Sequence, residues 1–227
     1  MSKGIAIQEF TSKMVEELPK VLFKDRNSLL NLIKTCGQEK NIVKVRKIHM
    51  DLQDRALISR DVYLTTALIR TYTKCGAMRE AREVFEQLPI QDVVSWTILM
   101  SGYSQLGLNH EALKCYKHMQ DEGVCPDSVT YLCALKACGN LGSLEIGEDI
   151  DIEVRKVGFL KKDVMLGATL VDMYAKCGAF EKARNVLEYI PVRNVVCWTA
   201  LIAGYVQHGL GYEALKCFHE MEGEGIY

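Results

Sequence analysis

The sequence predicts an all-α fold in which pairs of antiparallel helices stack on one another as a repeat array. The first observation is an internal repeat, because residues 93–125 return as residues 195–227, an offset of 195 − 93 = 102 residues. With this offset, about 37 of the 100 residue pairs between 26–125 and 128–227 are identical, without a gap. The second observation is that apolar residues recur at helical spacing inside the repeats.

Composition places the chain among globular helical proteins. The 227 residues are 48% hydrophobic, which is enough for a sizeable core, and include only 4 prolines. No apolar run reaches membrane-spanning length, so we expect no membrane association. The net charge of −1 excludes the bulk positive field of an indiscriminate nucleic-acid binder. A bound polyanion would therefore have to lie against a local stripe of residues.

The cysteines follow the repeat rather than a disulfide pattern. Their number, nine, is odd, and six of them are matched by the 102-residue offset. The matched pairs are Cys36 with Cys138, Cys75 with Cys177, and Cys115 with Cys217. This recurrence predicts small, buried apolar side chains in a reducing compartment.

Residues 1–25 precede the repeats. Phe10, Met14 and Leu18 recur at helical spacing, which predicts an N-terminal capping helix or the remnant of a preceding repeat. This stretch contains three glutamates and no arginine, the reverse of an Arg-rich, acid-poor transit peptide. No transit peptide is therefore visible in the sequence.

Each repeat unit is predicted to be a helical hairpin. In residues 93–127, Trp96 begins an apolar set at positions i, i+3, i+4 and i+7, which lies on one helical face. Gly107 then interrupts the pattern, and a second set starts at Ala112. The first set consists of Trp96, Leu99, Met100 and Tyr103, and the second of Ala112, Cys115, Tyr116 and Met119. Trp96 and its copy Trp198 are thus predicted to be packing residues.

The 102-residue period divides into three unequal units, each present twice. The boundaries are 26–61, 62–92, 93–127, 128–163, 164–194 and 195–227. The final unit lacks the Pro-Asp that closes its copy at Pro126 and Asp127, so we expect the array to end inside a repeat. Since an exposed apolar end is a liability, pairing into a homodimer is one way to cover it.

Several motifs resemble those of pentatricopeptide repeats. They are LIRTYTKCG at 68–76 with its copy LVDMYAKCG at 170–178, VVSWTILMSGY from Val93, and VTYLCALKACGNLGSLEIGEDI from Val129. The alternation of long, short and standard units resembles the plant PLS-type subclass. The resemblance covers roughly residues 26–227 and implies a right-handed α-solenoid of helix-turn-helix repeats. Tetratricopeptide repeats are the nearest alternative, but neither tryptophan begins their W-x2-L-G-x2-Y pattern.

The resemblance implies binding of single-stranded RNA, with about one base per repeat. In this family, bases are selected by the fifth and the last residue of a unit. The fifth residues here are Leu30, Thr66, Thr97, Leu132, Ala168 and Thr199, and the closing residues are Asp61, Asp92, Asp127, Asp163 and Asn194. For the closing residues the alternative is a helix N-cap, which contributes about 1 kcal/mol without any ligand.

The resemblance also implies which units select a base. Thr66 with Asp92, and Thr97 with Asp127, resemble the combination associated with guanosine, so two adjacent guanosines are expected. Thr199 suggests a purine. The leucines at the fifth place of the long units, and Ala168, depart from the family pattern. The predicted base-reading residues are Thr66, Asp92, Thr97, Asp127, Ala168, Asn194 and Thr199.

Two supporting sets of residues follow from the same resemblance. The second residue of a unit stacks against bases, and here these residues are Tyr63, Val94, Val129, Met165 and Val196. Lys74 and Lys176, which precede Cys-Gly in the short units, match a phosphate-contacting lysine. The alternatives are ordinary core residues for the apolar set and solvated helix ends for the lysines.

Together these observations predict an RNA-binding adaptor rather than an enzyme. No histidine lies in an H-x-E motif with C-x-x-C downstream, and no Gly-rich phosphate loop is present, so neither a catalytic site nor a cofactor is expected. The resemblance implies RNA editing, splicing or stability in a mitochondrion or chloroplast, acting through partner proteins of an RNA-processing complex. The alternative function is a helical-repeat scaffold that binds a protein or peptide.

Overall fold

The computed structural model describes residues 26–227, and every extended regular element in that range is an α-helix. The helices are α1 (Arg26–Gln38), α2 (Ile42–Asp54), α3 (Val62–Lys74), α4 (Met78–Glu86), α5 (Val93–Gln105), α6 (Asn109–Asp121), α7 (Ser128–Leu141), α8 (Leu144–Val157), α9 (Val164–Lys176), α10 (Phe180–Tyr189), α11 (Val195–Gln207) and α12 (Gly211–Gly223). A short 3-10 turn, Phe159–Lys161, follows α8. The predicted all-α fold is confirmed, whereas the helix predicted within residues 1–25 lies outside the described residues.

None of the helices in the described part of the chain is long and apolar enough to cross a membrane. The chain divides into two compact segments, with the boundary after Gln91. The first segment, as described, holds α1 to α4, and the second, Asp92–Tyr227, holds α5 to α12.

In the first segment, α1 and α3 lie side by side and run parallel. At their amino-terminal ends, Arg26 forms an ion pair with Asp61, with Nε 2.7 Å from Oδ2. Towards their carboxyl-terminal ends, the Thr71 hydroxyl oxygen lies 3.3 Å from the main-chain oxygen of Ile33. Helices α2 and α4 pack against this pair, so each helical hairpin is completed by its neighbour.

In the second segment, α5, α7, α9 and α11 each contact the next, and we call these four the first-helix row. The amino-terminal ends of α5 and α7 meet where the Thr97 and Thr130 hydroxyls lie 2.7 Å apart. The carboxyl-terminal ends of α9 and α11 meet where His208 Nε2 lies 3.2 Å from the main-chain oxygen of Lys176. The helices of the row therefore run parallel, with all their amino-terminal ends on the same side.

The predicted apolar faces are buried. Trp96 is 4% exposed and Met100 is fully buried, and Ala112 and Met119 are fully buried in the partner helix. The packing role predicted for Trp96 and Trp198 is confirmed, because both side chains are 4% exposed. Burial of such side chains contributes about 1.5–3 kcal/mol each, so the hairpins are held by their shared core.

The cysteines are thiols and form no disulfide among the described residues. Of the six that recur with the repeat, Cys36, Cys115, Cys138 and Cys217 are buried, as predicted. Cys75 and Cys177 are only partly buried, because each stands just after the last residue of a first helix, at its carboxyl-terminal cap. The expectation of full burial was therefore wrong for this one pair.

Candidate nucleic-acid interface

Large apolar side chains are exposed at the amino-terminal end of every helix in the first-helix row. The second residue of each helix is between 44% and 55% exposed: Val94, Val129, Met165 and Val196. In the first segment, Tyr63 has the same place in α3 and is 72% exposed. The Arg26 guanidinium lies 4.7 Å from the centroid of the Tyr63 ring, within the range of a cation–π contact. All five predicted stacking residues are therefore accessible to a ligand.

Two of the predicted threonines direct their hydroxyl hydrogen into their own helix. The Thr66 hydroxyl donates to the main-chain oxygen of Val62 at 2.7 Å, and the Thr199 hydroxyl donates to that of Val195 at 2.8 Å. A hydroxyl carries one hydrogen and two lone pairs. What Thr66 and Thr199 present to a ligand is therefore an acceptor. Neither side chain is sealed in the core, since Thr66 is partly exposed and Thr199 is exposed.

Thr97 is arranged differently, because it is linked to the closing residue of its own unit. Its hydroxyl oxygen lies 2.7 Å from that of Thr130, the third residue of α7. The Thr130 hydroxyl in turn donates to Asp127 Oδ1 at 2.7 Å. The structure thus brings Thr97 and Asp127, which are 30 residues apart in the sequence, into one hydrogen-bonded chain.

The closing residues cap the helices that follow them, so the capping alternative is confirmed. Asp92 accepts from the Ser95 amide at 2.9 Å, and Asn194 accepts from the Cys197 amide at 3.1 Å. Each of these caps uses one side-chain oxygen. Since a carboxylate has two oxygens and an amide also has donors, capping does not prevent contact with a base.

In the two predicted long units, 26–61 and 128–163, the closing aspartate is also bonded by the first residue of the same unit. Asp61 forms the ion pair with Arg26, and Asp163 accepts from the Ser128 hydroxyl. These two carboxylates have both oxygens engaged, because Asp163 Oδ1 accepts from the Leu166 amide at 3.1 Å. These contacts were not predicted from the sequence, although both predicted long units begin with a residue that carries a hydrogen-bond donor, Arg26 or Ser128.

Ala168 differs from the expectation for a base-reading residue. Its side chain is only 4% exposed and has no hydrogen-bonding atom. A methyl group is too short to project past its neighbours where α9 lies between α7 and α11. The structure therefore gives Ala168 no means of selecting a base.

The two predicted phosphate-contacting lysines have different surroundings. Lys74 is exposed at the end of α3. Lys176 is paired with Asp172, with Nζ 2.7 Å from Oδ2. The 102-residue offset places Arg70 where the other copy has Asp172, so Lys74 has a second cation one turn away and Lys176 has an anion.

Family models match four ranges of the chain. A model described as PPR repeat family matches residues 91–140, and one described as PPR repeat matches residues 64–90, 169–195 and 196–226. These ranges include more than half of the 227 residues.

Curated relatives from Arabidopsis thaliana match most of this chain but a smaller part of their own length. A chloroplastic pentatricopeptide repeat-containing protein is 39% identical over 205 residues, which is 90% of this chain and 33% of that protein. A putative mitochondrial one is 34% identical over 202 residues, or 89% and 32% of the respective chains. The chain thus spans about a third of the length of these relatives.

Solved structures match the fold. The crystal structure of the pentatricopeptide repeat protein PPR10 from maize has a TM-score of 0.74 at 19% identity, covering 97% of this chain and 32% of PPR10. The structure of PPR10 in complex with an 18-nt psaJ RNA element has a TM-score of 0.69, covering 98% and 33%. Repeat sequence, helical hairpins and these matches agree, and the chain belongs to the pentatricopeptide repeat family.

Proposed function

We propose that this chain is a sequence-selective adaptor for single-stranded RNA that contacts about one base per repeat. The observation that carries the proposal is the row of exposed apolar residues beside the polar side chains of Thr97 and Asp127, at one end of the first-helix row. Apolar side chains stack on any base, while fixed polar atoms select among bases. One solved relative, PPR10, has been crystallised with an RNA element.

The proposal includes the unit boundaries and the PLS-type subclass. Helices begin at Val62, Val93, Ser128, Val164 and Val195, which are the proposed first residues of successive units. These starts support an alternation of short, standard and long units. The long units are proposed to contribute stacking through residues such as Val129 and no base-specific hydrogen bond, because their closing aspartates are engaged within the protein.

The preferred base at the unit 93–127 is proposed to be guanine. An ionised Asp127 accepts only, so it suits the imino N–H that guanine and uracil offer. Thr97 supplies a second polar contact, and threonine at this place resembles the family's choice of purines. The sequence-based proposal for Thr66 with Asp92 is the same, which gives two adjacent guanosines. The remaining combinations, Ala168 with Asn194 and Thr199 alone, are proposed to be weak.

The free energies expected from these contacts limit the affinity of the chain for RNA. Five stacking contacts contribute on the order of 1 kcal/mol each. Two specific units add about 2 to 4 kcal/mol. The resulting roughly 7 to 9 kcal/mol corresponds to about micromolar binding. Such weak binding supports a role in which partner proteins, a second copy of the chain or further repeats contribute to RNA processing.

Relatives in both organelles support the proposed location of the protein. Curated relatives are described as chloroplastic and as mitochondrial, which supports an organellar location. Editing, splicing and RNA stability are the processing roles that we propose for the whole protein.

The base preference is tested by Thr97→Asn. An asparagine next to Asp127 is expected to move the preferred base at this position from guanine toward uracil. The measurement is a titration of four RNA oligomers that differ at this one position. His110→Asn, which introduces the same residue on the exposed surface of α6, is the matched control and should leave the ranking unchanged. An unchanged ranking in Thr97→Asn would contradict the proposed assignment.

A second candidate function is binding of a protein or peptide. It is favoured by the exposed apolar face of α12, where Tyr212 is 78% and Leu215 is 56% exposed. A scaffold of this kind would bind a peptide through α12 and show no mobility shift with single-stranded RNA. Tyr212→Lys would then abolish peptide binding, whereas an RNA adaptor should keep its RNA affinity in this variant.

A further inference from the structure

We propose that Thr130 is a positioning residue that determines the base preference of the unit 93–127 by holding the Thr97 hydroxyl as a hydrogen-bond acceptor. The inference rests on the proposed RNA-binding function and concerns the same site. Thr130 belongs to the following unit, is fully buried, and would not itself touch RNA.

The direction of each hydrogen bond follows from counting hydrogens. Thr130 Oγ1 lies 2.7 Å from Asp127 Oδ1, and an ionised carboxylate can only accept, so the one hydroxyl hydrogen of Thr130 points to Asp127. The Asp127 amide donates to the same Thr130 oxygen at 3.3 Å. At the 2.7 Å contact between the two threonines, the donor must therefore be Thr97.

The consequence is that this unit presents acceptors only. The hydrogen of Thr97 is engaged inside the protein, so its lone pairs face the ligand together with the second oxygen of Asp127. Among the bases, guanine offers two adjacent donors, N1–H and the N2 amino group, on its Watson–Crick edge. Adenine and cytosine place an acceptor beside their amino group, and uracil offers a single donor. Two fixed acceptors therefore favour guanine.

Other units lack this arrangement. Among the other described units, the residues at the place of Thr130 are Leu64, Leu166 and Cys197, which have no hydroxyl, Ser95, whose hydroxyl donates to the main-chain oxygen of Asp92 at 2.8 Å, and Ser28, which is exposed and starts the first described unit. Thr66 and Thr199 bond carbonyls of their own helices and are not tied to a closing residue. The position of Thr130 thus distinguishes one unit from its neighbours.

The test compares Thr130→Val, which keeps the shape and removes the hydroxyl, with Thr130→Ser, which keeps the hydroxyl. The probes are four uridine-rich RNA oligomers that vary at the base opposite this unit. All four oligomers carry guanosine opposite the unit of Thr66 and adenosine opposite the unit of Thr199, so that each RNA aligns with the repeats in the same way. Thr130→Val is expected to lower the preference for guanine over adenine about fivefold, the effect of one net hydrogen bond. Thr130→Ser should keep the preference.

The outcomes separate this inference from the proposed function. If the wild-type chain ranks guanine first and Thr130→Val keeps the same preference for guanine over adenine, Thr130 only supports the helix cap at Asp127 and the inference is wrong. If the wild-type chain has no preference for guanine, the proposed base assignment fails and this inference fails with it. A loss of affinity that is equal for all four oligomers also contradicts the inference, because a positioning residue should change the ratio of the affinities for guanine and adenine.

A measurement without RNA covers the case in which Thr130→Val is poorly folded. Thermal unfolding of Thr97→Val, Thr130→Val and the double variant forms a double-mutant cycle. If the two hydroxyls share a direct hydrogen bond, the melting temperature of the double variant should decrease by less than the sum of the decreases in the two single variants. Additive effects would overturn the proposed link between the two hydroxyls.

Discussion

At the scale of single residues, the closing aspartates are equivalent in the sequence and different in their surroundings. Asp61 and Asp163 are bonded by the first residue of their own unit, and Asp127 is bonded by a threonine of the next. Each cap is worth about 1 kcal/mol, so stability alone accounts for the presence of an acidic residue or asparagine at these places. The extra contacts decide which carboxylate oxygens are left for a ligand.

The cysteines allow a prediction at the same scale. Burial raises the pKa of the Cys138 thiol to about 12 and that of Cys217 to about 11, whereas Cys125 is exposed. Since the thiolate is the nucleophile, Cys125 should react first with a maleimide at neutral pH. Mass spectrometry of short reaction times would identify the labelled site. Cys125→Ser should remove the fast phase, and rapid labelling of Cys138 in the folded chain would contradict the buried position.

At the scale of elements, small residues set how closely the helices of the first-helix row approach. A Cβ atom added at Gly204 of α11 would lie 2.4 Å from Ala175 Cβ of α9. By contrast, a Cβ atom at Gly211 would have no atom within 4 Å. The contact between α9 and α11 therefore depends on the missing side chain of Gly204.

We expect Gly204→Ala to destabilise the chain by about 1 to 3 kcal/mol, the usual effect of overpacking. Gly211→Ala is the matched control, because it makes the same change at an open position and should be neutral or stabilising by up to about 1 kcal/mol. Chemical denaturation monitored by circular dichroism would give both values. Equal stabilities of the two variants would mean that α9 and α11 are not packed closely.

Helices α2 and α3, which belong to neighbouring units, share a pH-sensitive contact. His49 Nδ1 lies 2.9 Å from the Tyr72 hydroxyl, and burial lowers the pKa of His49 from its ordinary value of 6.5, against the opposing effect of Glu83 and Glu80. A lowered folded pKa means that the unfolded chain binds more protons below pH 6.5. The stability from the neutral imidazole is therefore present above pH 6.5 and is lost as the pH falls from there through the lower pKa of His49 in the folded chain.

We expect the melting temperature to decrease between pH 7 and pH 5.5, and His49→Gln to weaken this decrease. His110→Gln, at an exposed position on α6, should keep it. An NMR titration of the His49 ring would measure the shift directly. A His49 pKa at or above the value in an unfolded peptide would show that burial does not dominate its environment.

At the scale of the whole molecule, the balance of charge restricts how RNA can be held. The chain has 28 basic and 29 acidic residues, and one of the two predicted phosphate-contacting lysines, Lys176, is paired with Asp172. Association should therefore depend on stacking and base contacts more than on attraction of the phosphate backbone.

This balance predicts a shallow salt dependence of RNA binding. Two phosphate contacts give a slope of about −1.4 in a plot of log K against log salt concentration, at about −0.7 per contact for single strands. Lys74→Ala should reduce the slope by about 0.7, and Lys176→Ala by less, because Asp172 already neutralises that lysine. Lys117→Ala, an exposed position on α6, should leave it unchanged. A much steeper wild-type slope would indicate a basic surface beyond these two residues.

Local patterns in the sequence were sufficient to predict the helical hairpins. The periodic apolar sets of Trp96 and Ala112 and the break at Gly107 depend on neighbours along the chain, and the structure confirms α5 and α6 where they predict helices. The helical hairpins are set by short-range geometry, which a repeated sequence specifies twice. The exposure of the second residues was expected only from the resemblance to pentatricopeptide repeats, because an apolar residue at this place could also have been part of the core.

What only the tertiary structure decided is which side-chain atoms remain available in each unit. The hydrogen bond from Ser128 to Asp163 and the link from Thr97 through Thr130 to Asp127 join residues that the sequence separates by a few to more than thirty positions. The burial of Ala168 likewise depends on packing around its helix. Hydrogen bonds depend on atoms meeting within about 3 Å and at a suitable angle. Repeat spacing places residues on the correct helix, but packing between helices sets those distances.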